Sequence, residues 1–200
     1  MIKYFSNVYS FDGDFFVGDY TEYKKSHPAF KDIKGVLITS TKRNEIGFLH
    51  FHNKNNVKVK AINFEENPAF LKDNNGNLVS QCECFCVADK QKGKAWLAFV
   101  ELKYCKGAKE NIISNFASAI NQVKNSHLFL RDEKKILEQK KYHIYWIISM
   151  PEHSDQTPFT AFAISQDDIL SYKEDYGATI IGDTDVEVLN SGFIRGMHRD

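Results

Sequence analysis

The period of apolar and polar positions changes several times along the chain, and each change marks an element. Val36–Ser40, Ile46–His52 and Val57–Asn63 alternate or are rich in β-branched and aromatic residues, with polar turns at 41–45 and 53–56 between them. That pattern predicts three strands in an antiparallel meander. Residues 1–30 are aromatic but irregular and broken by Gly13, Gly18 and Pro28, which predicts loops and one short element. Asp73-Asn74-Asn75-Gly76-Asn77 is a turn signal. Two strands follow, Val79–Val87 and Ala95–Tyr104, joined by a turn that contains Gly93.

Between Lys109 and Leu130 the apolar residues recur at helical spacing, through Ile112, Phe116, Ile120 and Val123. Arg131–Lys141 is charge-rich and reads as a helix end with a short exposed helix. Tyr142–Met150 is apolar on both faces, as a buried central strand is. Pro151 ends it, and 159–164 reads as another strand. Ser165 before Asp167 and Asp168 is an N-cap signal for a short helix. Ala178–Asn190 reads as a hairpin about Gly182-Asp183. A strand, a crossover helix and a buried strand form a βαβ-like centre, so the expected class is α/β with a mixed sheet.

At 200 residues the chain suits one domain. Aromatics reach 14%, enough for a sizeable core. Lys+Arg and Asp+Glu are both 26, a balance that excludes a polybasic nucleic-acid binder but not a local basic patch. No apolar run approaches the roughly 20 residues of a membrane span, and the start lacks a signal-peptide pattern. The expectation is a cytoplasmic protein. Cys82, Cys84 and Cys86 alternate and Cys105 follows, a spacing unlike a disulfide framework and a poor match to a zinc knuckle. Buried free thiols are expected.

The chemistry concentrates in Gln81-Cys82-Glu83-Cys84-Phe85-Cys86 and Trp96-Leu97-Ala98-Phe99-Val100-Glu101-Leu102-Lys103-Tyr104. Glu101 and Lys103 are two apart on a strand and share a face. Glu83, near the middle of the preceding strand, can face them across the ladder. Burying carboxylates without compensation is costly, and a divalent cation between Glu83 and Glu101 would compensate; oxygen donors suit Mg²⁺ or Mn²⁺. The tripeptide itself is uninformative. With 12 Glu and 22 Lys, about one Glu-x-Lys arises by chance, and the chain has four. Only Glu101/Lys103 ends an apolar strand, follows a strand bearing an acid and precedes an amphipathic helix.

In that context the chain resembles the PD-(D/E)xK, or restriction-endonuclease-like, phosphodiesterase superfamily over roughly residues 65–150. The family pattern is an acid on one strand, a turn, an apolar strand ending in Glu-x-Lys, then a helix. Ala119-Ile120-Asn121-Gln122-Val123 is similar to a segment that follows the motif in many members. The resemblance implies a restriction-endonuclease-like mixed central sheet flanked by helices, with the N-terminal meander as an addition, in one domain over 1–200. It implies a metal-dependent nuclease with Glu83 and Glu101 as ligands of Mg²⁺ or Mn²⁺, the Leu102 carbonyl beside them and Lys103 catalytic. Gln122 and Glu66 are candidate site-lining residues, with Glu65 beside the latter. The implied partner is nucleic acid, DNA ahead of RNA, with a homodimer or a partner protein as a further expectation. Glu83 stands where the family usually has Asp, and the superfamily includes inactive members that bind a partner instead.

Other candidates carry less. His50 and His52 are two apart on a strand but lack a third ligand in the sequence, so they read as solvated strand positions. Lys106, Lys109, Lys124, Arg131, Lys134 and Lys135 read as a solvated helix face or a phosphate track. Trp96 and Trp146 read as core, and His143 as structural.

Overall fold

The computed structural model describes residues 1–73, 75–90, 92–104, 109–152 and 164–198. The backbone forms two mixed sheets and a helical layer. The first sheet has the order β1-β5-β6-β7-β8-β9: β1 (Tyr9–Phe11), β5 (Val59–Asn63), β6 (Cys84–Ala88), β7 (Ala95–Leu102), β8 (Tyr142–Ser149) and β9 (Ala178–Gly182). The strands from β1 to β7 pair antiparallel, whereas β7, β8 and β9 are parallel. Helix α2 (Lys109–Leu128) makes the crossover from β7 to β8. The second sheet has the order β11-β10-β4-β2-β3: β11 (Phe193–Gly196), β10 (Asp185–Asn190), β4 (Leu49–His52), β2 (Phe15–Asp19) and β3 (Val36–Thr39). A one-turn helix, α1 (Tyr23–Ser26), lies between β2 and β3.

Every residue of β7 is buried because both faces of the first sheet are covered. Leu97 and Phe99 pack with Ile112, Phe116, Ala119, Ile120 and Val123 of α2. Those positions recur at three and four residues, which puts them on one stripe of the helix. On the other face, Trp96, Ala98, Val100 and Leu102 pack with Phe15, Val17, Leu49 and Phe51 of the second sheet. Each large side chain so buried contributes roughly 1.5–3 kcal/mol. Trp96 and Trp146 are both core residues with no exposed surface. Helix α3 (Gln166–Tyr176) starts at Ser165, whose hydroxyl accepts the Asp168 N–H, and ends at Gly177 with φ +66°. Glycine adopts that left-handed cap without strain.

The α/β class, the β6–β7 hairpin, the crossover helix, the buried strand β8 and the Ser165 cap match the expectations. Four others are corrected. The first sheet is flanked by helices on one face only, and a second sheet covers the other. The meander does not form: β3 and β4 both pair with β2, while β5 joins the other sheet. A polar turn reverses the chain but does not dictate which sheet the next strand enters. The segment 178–190 is not a hairpin. Asp183 accepts the Asp185 N–H and the His198 N–H, and the chain steps between sheets there. Residues 1–30 hold more than loops, since β2 is the paired centre of β3 and β4, and Phe15 through Gly18 are buried. Residues 159–163 of the expected strand and Cys105 lie outside the described residues.

Candidate active site at the end of strand β7

Seven of the eight β7 side chains are apolar, and the exception is Glu101. Strand alternation puts Glu101 on the helix side with Leu97 and Phe99. Its side chain is 1% exposed and Lys103 Nζ lies 2.7 Å from Oε1. Lys103 Nζ also donates to Gln122 Oε1 at 2.6 Å, and Gln122 Nε2 donates to the Gln81 carbonyl. Gln122 is therefore a second anchor of the ammonium, set one helical face away from the strand. Ser126, one turn further along α2, accepts the Cys82 N–H at 2.8 Å. These bonds fasten residues 81 and 82 to α2 and hold the approach to β6 in place.

Glu83 is not in the middle of a strand. Strand β6 begins at Cys84, and Glu83 occupies the bend before it. Its N–H still bonds the Val100 carbonyl and its own carbonyl accepts the Phe64 N–H, so it extends the ladder by one step beyond the Cys84↔Val100 pair. This leaves it beside Glu101, half-buried at the sheet end. Leu102 packs its side chain between the two sheets, so only its backbone is free to serve the site.

The electrostatics are dominated by carboxylates. Burial pushes the Glu101 carboxyl up to about 7, with Asp19 adding to the rise and Lys103 opposing it. Burial and the Glu101 and Asp19 charges hold the Glu83 carboxyl well above the usual range, with Lys103 again opposing and Glu65 adding. Asp19, at the end of β2, was not singled out from the sequence. The signal was present: like Glu101, it closes an apolar run, Phe15-Phe16-Val17-Gly18. Tyr104 joins it to this sheet end, since its hydroxyl accepts the Asp19 N–H and donates to the Gly47 carbonyl, both at 2.9 Å.

Of the two acids after β5, Glu65 is the one whose charge reaches Glu83. Its Oε2 accepts the Val36 N–H, and a Cβ at Gly35 would fall 2.6 Å from its Oε1, so glycine there leaves room for the carboxylate. Glu66 instead accepts from the Tyr9 hydroxyl and from Lys34.

Three observations fit a divalent cation here. Glu101 Oε2 is buried without a hydrogen-bond partner among the described residues. The charges of Asp19, Glu65 and Glu101 act on Glu83, and Lys103 is a cation that acts on both Glu83 and Glu101. All of these donors are oxygens, which suit Mg²⁺ or Mn²⁺. Among the described residues, however, the group whose three ligand atoms lie within 4.8 Å of one another is elsewhere, at Asp14, His50 and His52.

The three described thiols are buried in the core. Cys84 and Cys86 pack between the sheets, and Cys82 packs on the helix side. Burial pushes the Cys82 and Cys84 thiols up, which makes them poor nucleophiles. Three of the basic residues have separate partners. Lys124 sits over the Tyr176 ring, Arg131 pairs with Asp132, and Lys134 donates to the Lys72 carbonyl. Lys106 and the side chain of Lys109 lie outside the described residues. No helix among the described residues is long and apolar enough to cross a membrane. No family model, curated protein or solved structure matches the chain.

Proposed function

We propose that the protein is a divalent-metal-dependent nuclease that hydrolyses phosphodiester bonds in nucleic acid, built on a restriction-endonuclease-like core. The observation that carries this reading is Glu101. It is a carboxylate buried at the end of an apolar strand, with one oxygen on Lys103 and the other without a side-chain partner among the described residues. The order of an acid before β6, a turn, β7 ending in Glu-x-Lys, then α2 and the parallel strand β8 supports it. Glu83 and Glu101 would hold Mg²⁺ or Mn²⁺, with the Leu102 carbonyl beside them. When bound, such an ion lowers the pKa of a coordinated water and offsets charge on a phosphodiester.

The chain's own residues supply the rest. Lys103 carries three N–H donors, two of which face Glu101 and Gln122. The third can meet an anionic phosphodiester oxygen, where charge builds in the transition state. Gln122 keeps the ammonium aimed, because its own amide is tied to the Gln81 carbonyl.

A second reading, a non-catalytic module that binds a protein or nucleic-acid partner, is favoured by the surplus of carboxylates acting on Glu83. They repel phosphate unless a cation intervenes. Thermal melts in EDTA, Mg²⁺ and Mn²⁺ on wild type and Glu101→Ala, followed by cleavage assays on single- and double-stranded DNA and RNA, separate the two. The nuclease reading expects metal to raise Tm only when Glu101 is present, and cleavage to fall by about 10²-fold or more in Lys103→Ala. Cleavage by Lys103→Ala at the wild-type rate would sink the mechanism. Metal indifference together with no cleavage supports the module.

A further inference from the structure

The second sheet carries a cluster that the nuclease reading does not use. His50 and His52 alternate with the buried Leu49 and Phe51 on β4, so both imidazoles leave the sheet on its outer face. Their ring centroids are 3.6 Å apart. Strand β10 runs parallel beside them with Asp185 opposite His50. Asp185 Oδ1 lies 2.6 Å from His52 Nε2 and 3.6 Å from His50 Nδ1. From the turn between β1 and β2, Asp14 Oδ2 lies 3.1 Å from His50 Nε2.

We propose that Asp14, His50 and His52 bind one zinc-class divalent cation, which ties the β1–β2 turn to β4, with Asp185 of β10 bonded to the imidazoles. Two imidazoles and one carboxylate, each offering an atom within 4.8 Å of the others, make the three-ligand set of a zinc site with an open position. Imidazole nitrogen selects zinc, cobalt or nickel over magnesium. The donors are also held from behind, as ligands of a metal usually are. Asp14 Oδ1 accepts the Asn53 N–H at 2.7 Å, and the Asn53 side chain is locked by bonds to Gly13 and Val57. Thr184 donates to Asp185 Oδ2, while Phe16 stacks on His50 at 4.3 Å. Exposure is partial, 20% for the His50 side chain and 31% for Asp185, and a cleft of about 330 Å³ opens beside them, giving an ion a route in. The sequence showed the two histidines; the acids come from 36 residues before His50 and 133 residues after His52.

The test is zinc titration by calorimetry, with metal content measured after desalting and with thermal melts, on EDTA-stripped wild type, Asp14→Asn, His52→Gln and Glu101→Gln. Expected are about one zinc per chain and a higher Tm for wild type and Glu101→Gln, with affinity at least roughly 10-fold weaker in Asp14→Asn and His52→Gln. If His52→Gln fails to fold, Asp14→Asn, in a turn, decides the matter. Two results would overturn the proposal: less than about a tenth of an equivalent retained by wild type, or equal zinc binding in wild type and Asp14→Asn.

Discussion

Lys103, just past β7, and Glu101 meet at 2.7 Å, yet the pair leaves the second Glu101 oxygen buried and without a side-chain partner among the described residues. An ion pair that satisfies only one of two buried oxygens does not offset the desolvation of the carboxylate. Burial and the neighbouring Asp19 charge accordingly push the Glu101 carboxyl up to about 7 despite the ammonium.

Replacing Glu101 by Gln removes that charge and keeps the shape. In EDTA at neutral pH the variant is expected to be as stable as wild type, within about 1 kcal/mol, or more stable. The Mg²⁺- or Mn²⁺-dependent rise in Tm and the nuclease activity should both be lost. Urea unfolding with and without metal checks this; a Gln variant that still gains stability from Mg²⁺ would place the ion elsewhere.

Replacing Lys103 by Met strips the counter-charge and leaves Gln122 Oε1 without its donor. Removing one partner of a buried pair typically costs about 3–5 kcal/mol, and Lys103 is 21% exposed, so a smaller loss of roughly 1–3 kcal/mol is expected. Cleavage should fall by about 10²-fold or more, the usual scale for losing a donor to developing charge. Comparing Lys103→Met with Gln122→Ala separates the two contributions, since the latter frees the ammonium without deleting it.

Tyr104 bridges the sheets by accepting from Asp19 and donating to Gly47. Tyr104→Phe should cost about 1–3 kcal/mol, the price of two lost bonds at a partly buried site. It should also weaken metal binding at the Glu101 end, because Asp19 loses its tether. Chemical denaturation and a Mg²⁺ titration measure the two effects.

Acid sensitivity should trace to His127. Its ring has no exposed surface, no hydrogen-bond partner on either nitrogen among the described residues, and a Phe99 ring stacked at 5.4 Å. Burial, with Arg131 adding, lowers its pKa from 6.5 to about 4. The unfolded chain then binds the extra proton, so the stability present above pH 6.5 is lost as pH falls towards 4, by up to about 3 kcal/mol. Glu101 acts in the opposite sense. Its folded value is raised, so its contribution is fully present below about 4.5 and is lost as pH rises through 7. Glu83, also raised, acts in the same sense as Glu101; relative to wild type, His127→Phe should therefore lose more stability from pH 4.5 to 7 and Glu101→Gln should lose less. Parallel pH curves for all three proteins would refute both assignments.

The sequence by itself determined the elements whose signals are local. The helical stripe Ile112, Phe116, Ile120 and Val123, the hairpin about Gly93, the doubly buried strand ending at Ser149 and the Ser165 cap all follow from side-chain period, turn residues or a single hydroxyl. Glu101 and Lys103 were legible for the same reason: two residues apart on one strand share a face whatever surrounds them. Sheet membership was not legible, because a turn fixes where a chain reverses and not which edge it reaches; β4 and β5 part there, as do β9 and β10. Only the tertiary structure brought Asp19 and Glu65 to Glu83, made Gln122 an acceptor for Lys103, and added Asp14 and Asp185 to His50 and His52. Each of those contacts joins segments far apart in the chain, held at a few ångströms by the packing of two sheets and a helix, and no local period records it.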